Sequence, residues 1–207
     1  RASQFGIRHF CTIALNPKEA NNPKLADDVL ALMPRYLAKD GVVAVGEIGF
    51  DDQTDQEEHV LARQIELARD FSLPVLVHTP HRDKKRGTIR TIDVVRRLGF
   101  PEEQVLIDHN NEETLPIVLE TRCWAGHTIY PNTKMDEERM VALVRSGTAP
   151  VHQIAAVTSR RDGWGADRPL RRGCAKLGSC GARRMRRHTG RRQHGAGRRS
   201  RPHLPLA

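Results

Sequence analysis

Glu47, His78 and His109 recur 31 residues apart, each at or just past the end of a short apolar run. The runs are Val42-Val43-Ala44-Val45, Pro74-Val75-Leu76-Val77 and Val105-Leu106-Ile107-Asp108. Continuous apolar runs of this length suit strands buried on both faces. Between them, 55–71 sets Val60, Leu61, Ile65, Leu67 and Ala68 at helical spacing, and 88–98 reads as a second helix. A repeat of roughly 30 residues is what a parallel strand–helix–strand crossover occupies. Equal units favour a closed (β/α)8 barrel over an open doubly wound sheet. No Gly-rich phosphate loop follows any of the strands, which argues against a nucleotide-binding open sheet.

The flanking segments extend the alternation. A strand is expected over 7–15, closed by Asn16-Pro17, and a helix over 24–39 with Leu25, Val29, Leu32, Met33, Tyr36 and Leu37 in register. Further helices are expected near 112–121 and over 135–145, with a strand near 124–130 between them. No apolar run approaches the ~20 residues that span a bilayer, so no membrane association is expected. The opening Arg1-Ala2-Ser3-Gln4 has no signal-peptide pattern, and the four cysteines have no zinc-finger spacing. A cytoplasmic, reducing setting is the expectation.

In a parallel barrel the C-terminal strand ends converge on one face, where the chemistry is placed. Glu47, His78 and His109 would meet there, a carboxylate and two imidazoles suited to Zn²⁺ or another divalent metal such as Mg²⁺ or Mn²⁺. Glu47 is the candidate to bridge if two ions share the site. The bland alternative is three ordinary strand-end side chains, and the shared position in successive units favours the metal.

These residues also carry a family resemblance. Gly46-Glu47-Ile48-Gly49-Phe50-Asp51, a Gln-bearing helix, and Leu73-Pro74-Val75-Leu76-Val77-His78 resemble the TatD-related metal-dependent hydrolases, over about residues 7–146. The resemblance implies an amidohydrolase-type TIM barrel in which metal-activated water attacks a phosphoester or related bond. Several family members are deoxyribonucleases, so a small-molecule or nucleic-acid phosphoester is the implied substrate. It also implies that Glu47, His78 and His109 ligate one or two metal ions. The family's opening His-x-His pair has no counterpart before Ile7. Its last strand-end Asp falls nearest Asp162 here, the residue that would serve as metal ligand or general base. Ile107-Asp108-His109-Asn110 differs from the His-Cys-Phe type common among the deoxyribonuclease members.

Several other residues invite two readings. Lys84, Lys85 and Arg86, in the stretch 81–88 just past His78, could attract a substrate phosphate or form a solvated charged loop. Asp108 could orient His109 from behind or simply be a partnered strand-end carboxylate. Trp124, His127 and Tyr130 punctuate the next strand segment. His127 reads as packed, and Tyr130 could line the substrate pocket or belong to an ordinary loop.

The net charge of +9 is unevenly distributed. Residues 1–150 carry a net −4, and residues 151–207 carry +13, with 14 Arg, one Lys and no Glu. The alternation is expected to stop near Gly147, dividing the chain into a partial barrel over 1–149 and a disordered Arg/Gly-rich tail over 150–207. That tail could bind nucleic acid non-specifically by neutralising phosphates. Alternatively, a reading-frame change near 146–150 accounts for Arg, Gly and Ala replacing the barrel's last unit. The expected product is an incomplete (β/α)8 barrel of metal-dependent hydrolase type. The competing readings are a non-catalytic nucleic-acid-binding protein and an inactive fragment.

Overall fold

The computed structural model describes residues 2–6, 8–129, 135–145 and 154–158. Six parallel strands lie in chain order in one sheet: β1 (Cys11–Ile13), β2 (Val42–Gly49), β3 (Val75–His78), β4 (Val105–Ile107), β5 (Trp124–Ile129) and β6 (Ile154–Thr158). Successive strands are joined through α1 (Pro23–Leu37), α2 (Asp55–Asp70), α3 (Lys84–Arg97), α4 (Leu115–Leu119) and α5 (Glu137–Arg145). A spatial order that follows the chain order is the winding of a (β/α)8 barrel. A doubly wound sheet reverses its order at a switch point. The fold is therefore α/β, an incomplete TIM barrel, with β1 and β6 at the two edges among the described residues.

The core lies between the sheet and its helices. Val75, Val77, Val105 and Ile107 are almost completely buried there, with Leu61, Ile65, Val95 and Leu115 in the same apolar cluster. Strands buried on both faces were expected, and here the structure differs. Leu76 and Leu106, alternating with those residues, are only half-buried. They lie outside the apolar cluster that joins sheet and helices, and no pairing of β1 with β6 closes the sheet among the described residues.

Local signals explain most element boundaries. Asn22 caps α1 by accepting from the Leu25 amide, and Pro23 opens it, where a missing N–H costs nothing. The Gln64 side chain of α2 accepts from the Leu15 amide and donates to its carbonyl, tying the segment after β1 to the helix layer. Other boundaries move. The strand expected over 7–15 is Cys11–Ile13, an edge strand bonded on one side among the described residues. The helix expected from 88 begins at Lys84, so the expected charged loop is in part its first turn. Gly87 concealed that turn: it sits against Pro80, where a Cβ would lie 2.3 Å from Pro80 Cγ. The helix near 112–121 shrinks to Leu115–Leu119, and the one from 135 begins at Glu137. The alternation does not stop at Gly147, because β6 extends the sheet beyond β5. Asp162 and the rest of the Arg-rich segment, 159–207, lie outside the described residues. No helix among the described residues is long and apolar enough to cross a membrane.

The two cysteines within the described residues differ in reactivity. Cys11 is exposed, whereas Cys123 is buried in the apolar core, and burial pushes its thiol up to about 11. Maleimide labelling of the native protein at pH 8 is expected to modify Cys11 and spare Cys123 until denaturant is added. Peptide mass spectrometry reads both sites, and equal labelling in the folded state would contradict the buried placement.

Candidate metal centre

A bulge aims Glu47 at the site. Gly46 pairs with Leu76 and Ile48 with Val77, so Glu47 lacks a register partner between them. Such an extra residue bends a strand and redirects its side chain. The sequence placed Glu47 after a strand ending at Val45; it lies inside β2 instead. Two glycines let β2 and β3 approach closely here. A Cβ at Gly49, where φ is +140°, would fall 2.2 Å from the His78 carbonyl oxygen.

His78 ends β3, and His109 follows β4 with a left-handed φ of 62°. Such a backbone is uncommon for a side chain other than glycine and needs local support. Neighbouring hydrogen bonds supply it. Asp108 Oδ1 accepts from the His109 amide at 2.6 Å. Asn110 donates from its amide to the Gly126 carbonyl at 2.9 Å and from Nδ2 to the Ile107 carbonyl at 2.6 Å. The turn is thereby stapled between β4 and β5.

The three expected ligands meet. Glu47 Oε1 is 3.0 Å from His109 Nε2 and 3.3 Å from His78 Nδ1, and the three candidate ligand atoms lie within 4.8 Å of one another. The two imidazoles pack edge to face, with centroids 4.8 Å apart. Burial acts to raise the Glu47 carboxyl, but hydrogen bonds from His109 and His78, with their charge, hold it well below the usual carboxylate range. Glu47 is thus an anion with two imidazoles aimed at it. Two nitrogen donors and a carboxylate oxygen are the donor chemistry of a divalent transition-metal site, and these residues fit one.

A family comparison agrees with this geometry: the family model described as TatD related DNase matches residues 1–150. The chain belongs to that family. It is similar to an uncharacterized metal-dependent hydrolase of Methanocaldococcus jannaschii. The two are 27% identical over 146 residues, which are 70% of this chain and 57% of that protein. It is 34% identical over 87 residues to a deoxyribonuclease of Homo sapiens, covering 38% of this chain and 31% of that one. Among solved structures it resembles the TatD-like protein of Archaeoglobus fulgidus, with a TM-score of 0.59 and 25% identity. That match covers 89% of this chain and 70% of the other. The chain thus spans little more than half, or less, of these two curated relatives.

The remaining expected site residues separate in the structure. A cavity of about 180 Å³ adjoins His109 and is lined in part by His81, Lys84, Asn111 and Thr128. Lys84 reaches it, its Nζ donating to Thr79 Oγ1 at 3.0 Å. Lys85 and Arg86 are exposed and do not line it. Asp108 is buried behind His109. His127 is wholly buried, its Nδ1 3.1 Å from the Asn110 carbonyl; burial lowers its pKa and that hydrogen bond partly opposes the shift. Tyr130 lies outside the described residues.

Sequence reasoning missed Glu57, Asn110 and Thr128. Glu57 had a local signal, since Thr54-Asp55-Gln56-Glu57 has the spacing of a capping box. Thr128 had none. Its relevance appears only when the two-residue alternation of β5 puts it opposite Asp108 and His109.

Proposed function

We propose that this chain forms the metal-binding part of a phosphoester hydrolase, with Glu47, His78 and His109 holding a divalent cation, Zn²⁺ in the first instance. The observation that carries the reading is the convergence of one carboxylate and two imidazoles at the ends of three successive barrel strands. When bound, the cation supplies Lewis acidity toward a phosphoryl oxygen and toward water. The protein's own groups have distinct tasks. Glu47 stays anionic and accepts; His78 and His109 present Nδ1 and Nε2 to the same point. Lys84, in the lining of the adjoining cavity, sets a positive charge where a phosphate would bind. A deoxyribonucleic phosphodiester is the substrate class favoured by the human relative's activity.

The test is hydrolysis of bis(p-nitrophenyl) phosphate and of a DNA oligonucleotide with Zn²⁺, Mn²⁺ or Mg²⁺. Chelator-sensitive turnover that falls at least about 100-fold in Glu47→Gln is expected. Lys84→Ala is expected to raise KM about tenfold while leaving the metal content unchanged. Full metal occupancy without cleavage of either substrate would overturn the hydrolase reading.

A further inference from the structure

We infer that Thr128 is a positioning residue for the metal centre, relaying the buried Asp108 carboxylate to the far side of the His109 ring. The inference rests on the metal reading above and concerns a residue that the ligand set does not include. His109 Nδ1 lies 2.6 Å from Thr128 Oγ1, while its nearest Asp108 oxygen is 3.7 Å away, beyond hydrogen-bond distance. Thr128 Oγ1 lies 3.3 and 3.4 Å from the two Asp108 oxygens. The carboxylate therefore reaches the imidazole through the hydroxyl.

Proton accounting gives this chain a direction. A metal ligated at His109 Nε2 takes that nitrogen's lone pair, so the neutral ring carries its proton on Nδ1. Nδ1–H then donates to Thr128 Oγ1, and the hydroxyl hydrogen is left to donate to Asp108. An Asp108 oxygen at the end accepts that hydrogen and orients the hydroxyl. Partners of this kind fix the tautomer and ring orientation of a ligating histidine and raise its basicity.

The surroundings hold both ends of the relay in place. Asp108 Oδ1 also accepts from the His109 amide, and the Asp108 carbonyl accepts from Thr79 Oγ1 at 2.8 Å. Gly126, opposite on β5, makes the room: a Cβ there would lie 2.7 Å from Asp108 Oδ1 and 3.0 Å from Asp108 Cα. Asp108 and Thr128 are both almost fully buried.

Zn²⁺ affinity by chelator competition on the full chain tests the relay. Thr128→Val keeps the shape and removes the hydroxyl; Thr128→Ser keeps the hydroxyl. The expected result is a 10–100-fold weaker Kd in Thr128→Val and near wild-type affinity in Thr128→Ser, with apo thermal stability alike in the two. Equal affinity in wild type and Thr128→Val overturns the relay but leaves the metal site standing. A wild-type chain that retains no metal overturns both. Imidazole ¹⁵N spectra of the Zn²⁺-loaded wild type need no variant. A slowly exchanging Nδ1–H on His109 is expected, and a proton on Nε2 would refute the assignment.

Discussion

Exchanging His78 and His109 together for alanine is expected to abolish stoichiometric Zn²⁺ retention. Elemental analysis of the protein after dialysis should fall from about one ion per chain to a trace. The reason is the small donor set: within the described residues these imidazoles and Glu47 form the one group of three ligand-type side chains able to hold an ion. A lone, half-exposed carboxylate binds a divalent cation weakly against water. Its electrostatics change as well. The hydrogen bonds that keep Glu47 far below the usual carboxylate range both come from these two rings. Without them burial acts alone and pushes the carboxyl up, which disfavours the charged ligand. The fold should survive, since His78 and His109 lie outside the apolar cluster that joins sheet and helices. Circular dichroism separates loss of metal from loss of structure, and unchanged metal content in a folded double variant would refute the assignment.

Glu57→Ala is expected to destabilise the fold by about 3 kcal/mol. The Glu57 side chain is buried, and its two oxygens accept from the amides of Asp51, Asp52 and Gln53 at 3.0, 3.0 and 2.8 Å and from Asn21 Nδ2 at 2.7 Å. Truncation strands three backbone donors in the turn that follows β2. Hydrogen bonds to a charged acceptor contribute ~1.5–3 kcal/mol each, and partial access of water to the turn recovers some of that sum. The damage should also spread toward the cavity. Gln53 Nε2 donates to the carbonyls of Arg82 and Asp83, so the same turn anchors the segment that carries His81 and Lys84. Urea denaturation measures the loss, and Glu57→Gln should cost less because one acceptor oxygen remains. A change below about 1 kcal/mol for Glu57→Ala would show that the turn holds itself.

Much of the candidate metal centre was legible because barrel strands repeat a local pattern. Each apolar run ends in a polar residue, and equal spacing puts those ends on one face without knowledge of any contact. The cationic stretch was less readable. Lys84, Lys85 and Arg86 are alike in sequence, and only the start of α3 at Lys84 turns one toward the cavity and two toward solvent. In β5 the side chains alternate by two, and His127, read as packed, is buried. Thr128 and Gly126 therefore share the face of Asp108, while His127 packs elsewhere.

The sequence by itself determined the parallel α/β winding, the three candidate ligand residues and the family. These depend on periodicity and on which residue types can bind a metal. Tertiary structure alone decided how those ligands are held. The β2 bulge that aims Glu47, the Glu57 clamp on the following turn, and the Asp108–Thr128 support behind His109 join separate segments of the chain. Apart from the Thr54–Glu57 spacing, hydrogen-bond partners of this kind are chosen by strand register and burial, which no local pattern in the sequence records.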